Sequence, residues 1–455
     1  MATFDRGESL SKGKVWQDVP LHDKRVCASD FAIPTTIASK ILPDDSLSVR
    51  ALLDFHLPRP ATTLVGKEDL ALFFSKQTPD HLDASTLLQI CHLDIPPGPV
   101  IRRLVVAGKK AWLDGYKSVK YAHISGETIT HFSLWIISFW ETVINIRTQV
   151  QKPWTDATDW VSQQIQQKKR TDVRTLAAET NRLLAILPWN WAKLGLSDEQ
   201  PLHTLWHFLG PNWLSSTDEN DMLEMLRETI AGDPDLVGTV RVESVYLLDK
   251  VAEAFRTRDS VDYDSQSRRW LSSLGNDLFC ADRERLITIG HLGVHNKEKH
   301  WITIDVTGSQ CLLRYGDSFG DRIPPTLCDV YKWWISKHMP NELQFDVVPH
   351  SSQTDGHSCG ILAFNITAHS IDPVKYPLIE QNDVVLGRLT MFNRLVNCVL
   401  ERMANRDEEE IARLSERVTD LTMEKPSPLL SFIDLGNSPS FTFQSPKQGN
   451  SNALK

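Results

Sequence analysis

Three stretches of the chain carry side chains that perform acyl transfer when they meet: HWITIDV at 300–306, CLLRYGDS at 311–318 and QTDGHSCGILAFN at 353–365. In order they offer an imidazole (His300), a carboxylate (Asp317), a primary amide (Gln353) and a thiol (Cys359). A thiolate is a strong nucleophile, and an imidazole can take its proton and return it to a leaving group. A carboxylate fixes the tautomer of that imidazole, and converging N–H groups hold the oxyanion.

The elements around these residues must position them. WITIDV and CLLRYG alternate as a hairpin does. With Thr307–Gln310 as a four-residue loop, Val306 faces Cys311 and His300 faces Asp317. Opposed Cβ atoms lie ~5 Å apart, close enough for Asp317 to accept the Nδ1–H of His300 and leave Nε2 for a thiol. Cys359 precedes GILAFNITAHS, a predicted helix with Ile361, Leu362, Phe364 and Ile366 on its apolar face. A helix N-terminus and a nearby imidazolium both favour an ionised sulfur. Ser358 is expected to cap that helix. Gln353, in a turn with Asp355 and Gly356, is expected to join the Cys359 backbone N–H as an oxyanion hole. Each residue also has a plainer reading. Cys359 alone reads as a small buried hydrophobe, His300 as the start of a strand, and Asp317 as a turn cap ahead of Ser318. His357, with Asp355 nearby, is a second candidate base. The joint order on these elements favours the catalytic reading.

The remaining composition narrows the field. A formal net charge of −9 disfavours a general nucleic-acid binder. The seven cysteines are scattered, with no C-x-x-C pair and no zinc-like spacing, and read as reduced thiols of an intracellular protein, nuclear or cytoplasmic. The first thirty residues are polar, are expected to be loose, and lack a signal-peptide apolar region. The most apolar run, FSLWIISFW at 132–140, is about half of a membrane span, so no membrane partner is expected. No metal or organic cofactor is implied.

The quoted motifs form a recognisable set. His300-Trp301, Asp317-Ser318 and Gln353 with Cys359-Gly360 six residues on resemble the Ulp/SENP family of ubiquitin-like-protein-specific cysteine proteases, relatives of the adenoviral protease. NWLSSTDENDMLEMLRE at 212–228 resembles that family's early W-L motif. The resemblance implies a triad of His300, Asp317 and Cys359, with Gln353 helping to hold the oxyanion. It also implies a narrow tunnel lined by Trp301 and Trp213 that admits a Gly-Gly C-terminus of SUMO or a related modifier. Three features depart from the pattern: Ser358 stands where Asp is usual, Asp355 where Asn is frequent, and 232–293 match poorly. The alternatives are a deubiquitinase-like or general peptidase on the same fold, and a catalytically silent modifier-binding adaptor.

The organisation expected is a mainly helical region over 1–190 and an α+β, adenain/Ulp-like domain over 195–400 with a mixed sheet flanked by helices. A helix with coiled-coil potential over 401–425 and a disordered tail over 426–455 follow. Ile411, Leu414, Val418 and Leu421 fall at a/d spacing, so self-association through 407–424 is expected. In the N-terminal part, helices are expected over 99–116, 131–152, 155–170 and 171–187. Thr155 or Thr158 is expected to cap the third and Thr171 or Asp172 the fourth, with Pro188 ending it.

Overall fold

A computed structural model of the protein describes residues 16, 19–62, 70–81, 87, 90–120, 131–193, 196, 200–280, 284–293 and 299–405. The expected coiled coil over 407–424 and the tail over 426–455 lie outside the described residues. Within them the chain divides into two compact units, one drawn from 16–42 and 56–145, the other from 43–55 and 146–405. The unit that carries the five-stranded sheet includes 43–55 as well as the chain from Ile146 onward. No helix of the described residues is long and apolar enough to cross a membrane.

The first unit contains α1 (Leu21–Phe31) and α2 (Thr35–Ile41), while α3 (Val49–Asp54) belongs to the second. Residues 21–31 are therefore helical, in place of the loose segment expected, because Cys27 and Phe31 bury on one side of the turn. A small antiparallel sheet follows, in the order β1 (Phe74–Ser75), β2 (Ser118–Lys120), β3 (His131–Ser133). It is accompanied by α4 (Gly98–Leu113) and α5 (Trp135–Asn145). The helix expected over 131–152 is thus a strand, then α5, then a π-helical stretch, Ile146–Gln151.

The second unit adds α6 (Lys152–Ile165), α7 (Thr171–Leu183), α8 (Ser216–Ala231), α9 (Leu247–Arg256), α10 (Arg269–Cys280), α11 (Pro325–Ile335), α12 (Cys359–Ile371) and α13 (Val384–Ala404). The expected threonine caps are absent. Pro153 sits in the first turn of α6, so Thr155 lies inside the helix and its hydroxyl donates to the Gln151 carbonyl at 2.8 Å. Arg170 occupies the N-cap of α7 and pairs with Asp172 and Asp383.

A five-stranded mixed sheet runs β4 (Val240–Val242), β5 (Arg285–Leu292), β6 (His300–Thr307), β7 (Leu312–Gly316), β8 (Gln344–Val347). The β5–β6 and β6–β7 pairs are antiparallel and the outer two pairs parallel. On one face Ile302, Ile304, Val306, Leu313 and Tyr315 form an apolar core with Leu248, Val251, Leu274, Tyr331 and Trp334 from α9, α10 and α11. On the other face α12 lies across β6, where Thr303 donates to the Ala363 carbonyl at 2.9 Å.

The β6–β7 register differs from the expected one. Thr303 pairs with Gly316 and Thr307 with Leu312, so Val306 faces Leu313. Cys311 takes φ 48° and donates its N–H to the Gly308 carbonyl at 3.1 Å, so it belongs to the turn and not to the strand. The slip is two residues, one full side-chain period, and every residue keeps its face. His300 accordingly projects opposite Phe319, with Asp317 on the diagonal.

The close contact between sheet and α12 depends on Gly316. A Cβ there would lie 2.5 Å from Val348 Cγ2 and 2.8 Å from Ile366 Cγ2. Gly316→Ala is expected to destabilise the protein by ~1–3 kcal/mol through overpacking. A urea titration reads this as a lower midpoint with unchanged slope, and an unaltered midpoint would contradict the packing described.

Candidate active site

His300 opens β6, Asp317 follows β7 directly, and Cys359 is the first residue of α12. All three side chains are buried. His300 Nε2 lies 2.8 Å from Asp317 Oδ1, and the Cys359 side chain is close enough to the ring to favour its protonated form. The sequence therefore identified the residues that meet but exchanged the ring nitrogens: Nε2, not Nδ1, faces the carboxylate. Asp317 sits two residues off the directly opposed position and meets the far edge of the ring. Phe319, half exposed, stacks on the ring at 4.7 Å between centroids.

Asp317 is held from three directions. Besides His300, it accepts from the Phe319 backbone N–H at 2.8 Å and the Tyr315 hydroxyl at 2.9 Å. Burial pushes its carboxyl up, but these donors and the charge of His300 bring it below the usual carboxylate value. For His300 burial works against the proton, yet Asp317 and Cys359 together push the imidazole up to about 9. The arrangement thus holds an imidazolium beside both a carboxylate and the sulfur.

The loop before Cys359 is organised around Asp355. Its carboxylate accepts from the backbone N–H groups of His357 and Ser358, the Ser358 hydroxyl at 2.6 Å, and Gln381 Nε2. Burial opposes these bonds, but they hold Asp355 at about 2. Ser358, expected to cap α12, makes no side-chain cap and spends its hydroxyl on Asp355. The reason is its φ −93°, ψ 0°, which is helical where a capping residue is extended. Burial keeps His357 below the usual histidine value, and its Nδ1 is 3.6 Å from Asp355.

Gln353 accepts the Ser318 hydroxyl at 2.7 Å and donates its amide N–H to the Asp355 carbonyl at 2.7 Å. Trp301 is 3% exposed and donates its indole N–H to the Leu214 carbonyl at 2.9 Å, which fastens β6 to the residue beside Trp213. Trp213 itself is 44% exposed. Among the described residues no group of three or more His, Cys, Asp or Glu side chains is placed to hold a metal ion.

Several residues here carried no usable sequence signal. Tyr315 read only as a strand residue, and Phe319 was not singled out. Arg388 comes from α13, and its guanidinium donates to the backbone carbonyls of His207, Asn212 and His357 at 3.1, 2.6 and 2.9 Å. One buried cation thus ties the Trp213 segment to the loop of Cys359. Ser215 and Asp218 close a capping box at the start of α8. The run Asp218–Asp221 then buries four consecutive polar side chains beneath the site.

No protein-family profile and no curated protein matches the sequence. Among solved structures, the chain is similar to the SUMO protease Ulp1 with its catalytic cysteine oxidised to a sulfonic acid, at 16% identity and TM-score 0.38 over 51% of this chain and 97% of that one. It is also similar to the C-terminal Ulp1 protease domain in complex with Smt3, the yeast ortholog of SUMO, at 15% and 0.35 over 53% and 94%. A third is the Xanthomonas campestris effector XopD bound to ubiquitin, at 18% and 0.27 over 39% and 90%.

Because His300 is raised above its unfolded value near 6.5, the stability it supplies is present below about pH 6.5 and is lost as pH rises through about 9. Asp317→Asn removes the main cause. The excess stability of wild type over this variant should be greatest near pH 6 and shrink toward pH 9.5, followed by thermal denaturation at each pH. A difference that stays constant over this range would mean that His300 is not held protonated by Asp317.

Proposed function

We propose that the chain is a cysteine peptidase that cleaves after the Gly-Gly C-terminus of SUMO or a related ubiquitin-like modifier. The observation that carries this reading is a single buried imidazole bonded to a buried carboxylate, with a thiol at a helix N-terminus close enough to favour the ring's protonated form. The modifier class rests on the order and spacing of His300-Trp301, Asp317-Ser318, Gln353 and Cys359-Gly360, which resemble the Ulp/SENP pattern.

In this reading the Cys359 sulfur attacks the carbonyl carbon of the terminal glycine while His300 holds the proton. The tetrahedral oxyanion is met by the Cys359 backbone N–H and by Gln353, whose amide must turn from the Asp355 carbonyl toward the substrate. His300 protonates the leaving amine, and the C–N bond breaks to leave a thioester. It then takes a proton from water, which attacks the thioester and releases the modifier's carboxylate. Asp317 keeps the ring in one orientation throughout. Trp213, offered to solvent, and Trp301, buried and bonded to the Leu214 carbonyl, are the residues proposed to narrow the passage so that only a residue without Cβ passes.

Probes with an electrophile at the C-terminus of SUMO, ubiquitin and related modifiers test both parts. Labelling by one probe is expected, with none for Cys359→Ala and a drop of roughly 10²-fold or more for His300→Ala and Asp317→Asn. If iodoacetamide alkylates Cys359 but no modifier probe reacts, the peptidase reading fails in favour of a silent adaptor. Labelling by ubiquitin alone would favour the deubiquitinase-like alternative.

Trp213→Ala is expected to relax selection at the penultimate glycine. A SUMO probe ending in Ala-Gly should gain on the Gly-Gly probe by about tenfold, in line with the 1–3 kcal/mol by which a pocket rejects one small group. An unchanged ratio of labelling rates would remove Trp213 from the passage.

A further inference from the structure

Glu219, in the first turn of α8, is fully buried, and neither of its carboxyl oxygens has a hydrogen-bond partner among the described residues. It lies directly against the nucleophile's neighbour, because a Cβ built on Gly360 would collide with Glu219 Oε1. The groups that face it come from several elements. On α8 itself is Asp218, at the N-terminus of α12 is Cys359, and on α13 is Arg388. Asp218 has His207, partly exposed, 2.9 Å away, and Asp221 is paired with the buried Lys193 at 2.6 Å. Arg388 offers its N–H groups to three backbone carbonyls, and its Nε finds no partner.

This is an unusual place for a carboxylate. A buried negative charge with no donor is costly to keep, and here it would also stand beside the sulfur that must become negative. The neighbouring cation gives it no hydrogen bond: the Arg388 Nη groups are on backbone carbonyls, and its Nε, though unspent, does not reach either Glu219 oxygen. Burial, the sulfur and Asp218 all act to keep the proton on Glu219, with only Arg388 opposing them.

We propose that Glu219 takes up a proton as the protein folds and works as a neutral positioning acid beneath the Cys359–Gly360 turn. Glu219 fills the space against Gly360 and fixes the first turn of α12. Its importance for turnover rests on the peptidase reading above, whereas its protonation does not.

The experiment separates the two. For a group with a raised folded-state value, stability is present below its unfolded value near 4.3 and is lost as pH rises toward the folded one. Glu219→Gln is isosteric and carries no proton to lose. The unfolding constant of wild type relative to Glu219→Gln should therefore rise with pH between 5 and 8, by up to about tenfold per unit. A flat ratio overturns the proposal. The pH midpoint of Cys359 alkylation by iodoacetamide should coincide in wild type and Glu219→Gln, since both are neutral there. A midpoint moved to lower pH in the variant would show a carboxylate beside the sulfur and also overturn it. Glu219→Ala should slow alkylation by about tenfold, with Gln restoring most of the rate, as expected for a group that positions its neighbour. An alanine variant as fast as wild type would overturn the positioning role. If these outcomes hold but no modifier probe labels the wild type, only the peptidase reading falls.

Discussion

One imidazole shared between a carboxylate and a sulfur is the interaction to which the second unit is built. His300 can bond Asp317 and stand near Cys359 only if an antiparallel strand pair and a helix from later in the chain converge. Each partner is therefore held by more than its bond to the ring. Asp317 is clamped by Tyr315 and Phe319, and the Cys359 loop is clamped by Asp355 and Arg388. With all donors spent, the ring has one orientation and the carboxylate has one.

Burial makes this arrangement expensive and sets its character. The site stands on a layer of polar and charged side chains: Lys193 with Asp221, His207 beside Asp218, and Arg388 spanning three backbone segments. A buried ion pair is weak evidence for stability, because desolvation offsets most of the attraction. The two pairs tie segments within 193–221 to one another, and Arg388 joins that stretch to α13 and to the loop of Cys359. Arg388 is the clearest case, since one guanidinium fixes both Asn212, beside Trp213, and His357, two residues before Cys359.

Much of this was legible in the linear chain. Alternation of apolar residues located β5, β6 and β7, and spacing of three or four located α8, α11, α12 and α13 to within a few residues. Three of the four chemical groups fall at or beside an element end, His300 opening β6, Asp317 following β7 and Cys359 opening α12, whereas Gln353 lies in mid-loop. Three errors had local causes. Cys311 adopted a left-handed turn conformation that its residue type does not advertise, so the hairpin slipped by two. Ser358 found a better partner in Asp355 than in its own helix. Thr155 lost its capping role to a helix that had already begun at Lys152.

The sequence by itself determined which residues lie on which face, since a period of two or of 3.6 is a property of the backbone and survives a two-residue slip. It therefore determined that His300, Asp317 and Cys359 were available to one another. Only tertiary structure decided which ring nitrogen meets the carboxylate, because that depends on register and not on pattern. It alone also decided that Glu219, Tyr315 and Arg388 belong to the site. Their neighbours lie from two residues to some 180 away in the chain, and long-range contacts and buried electrostatics leave no period in a sequence.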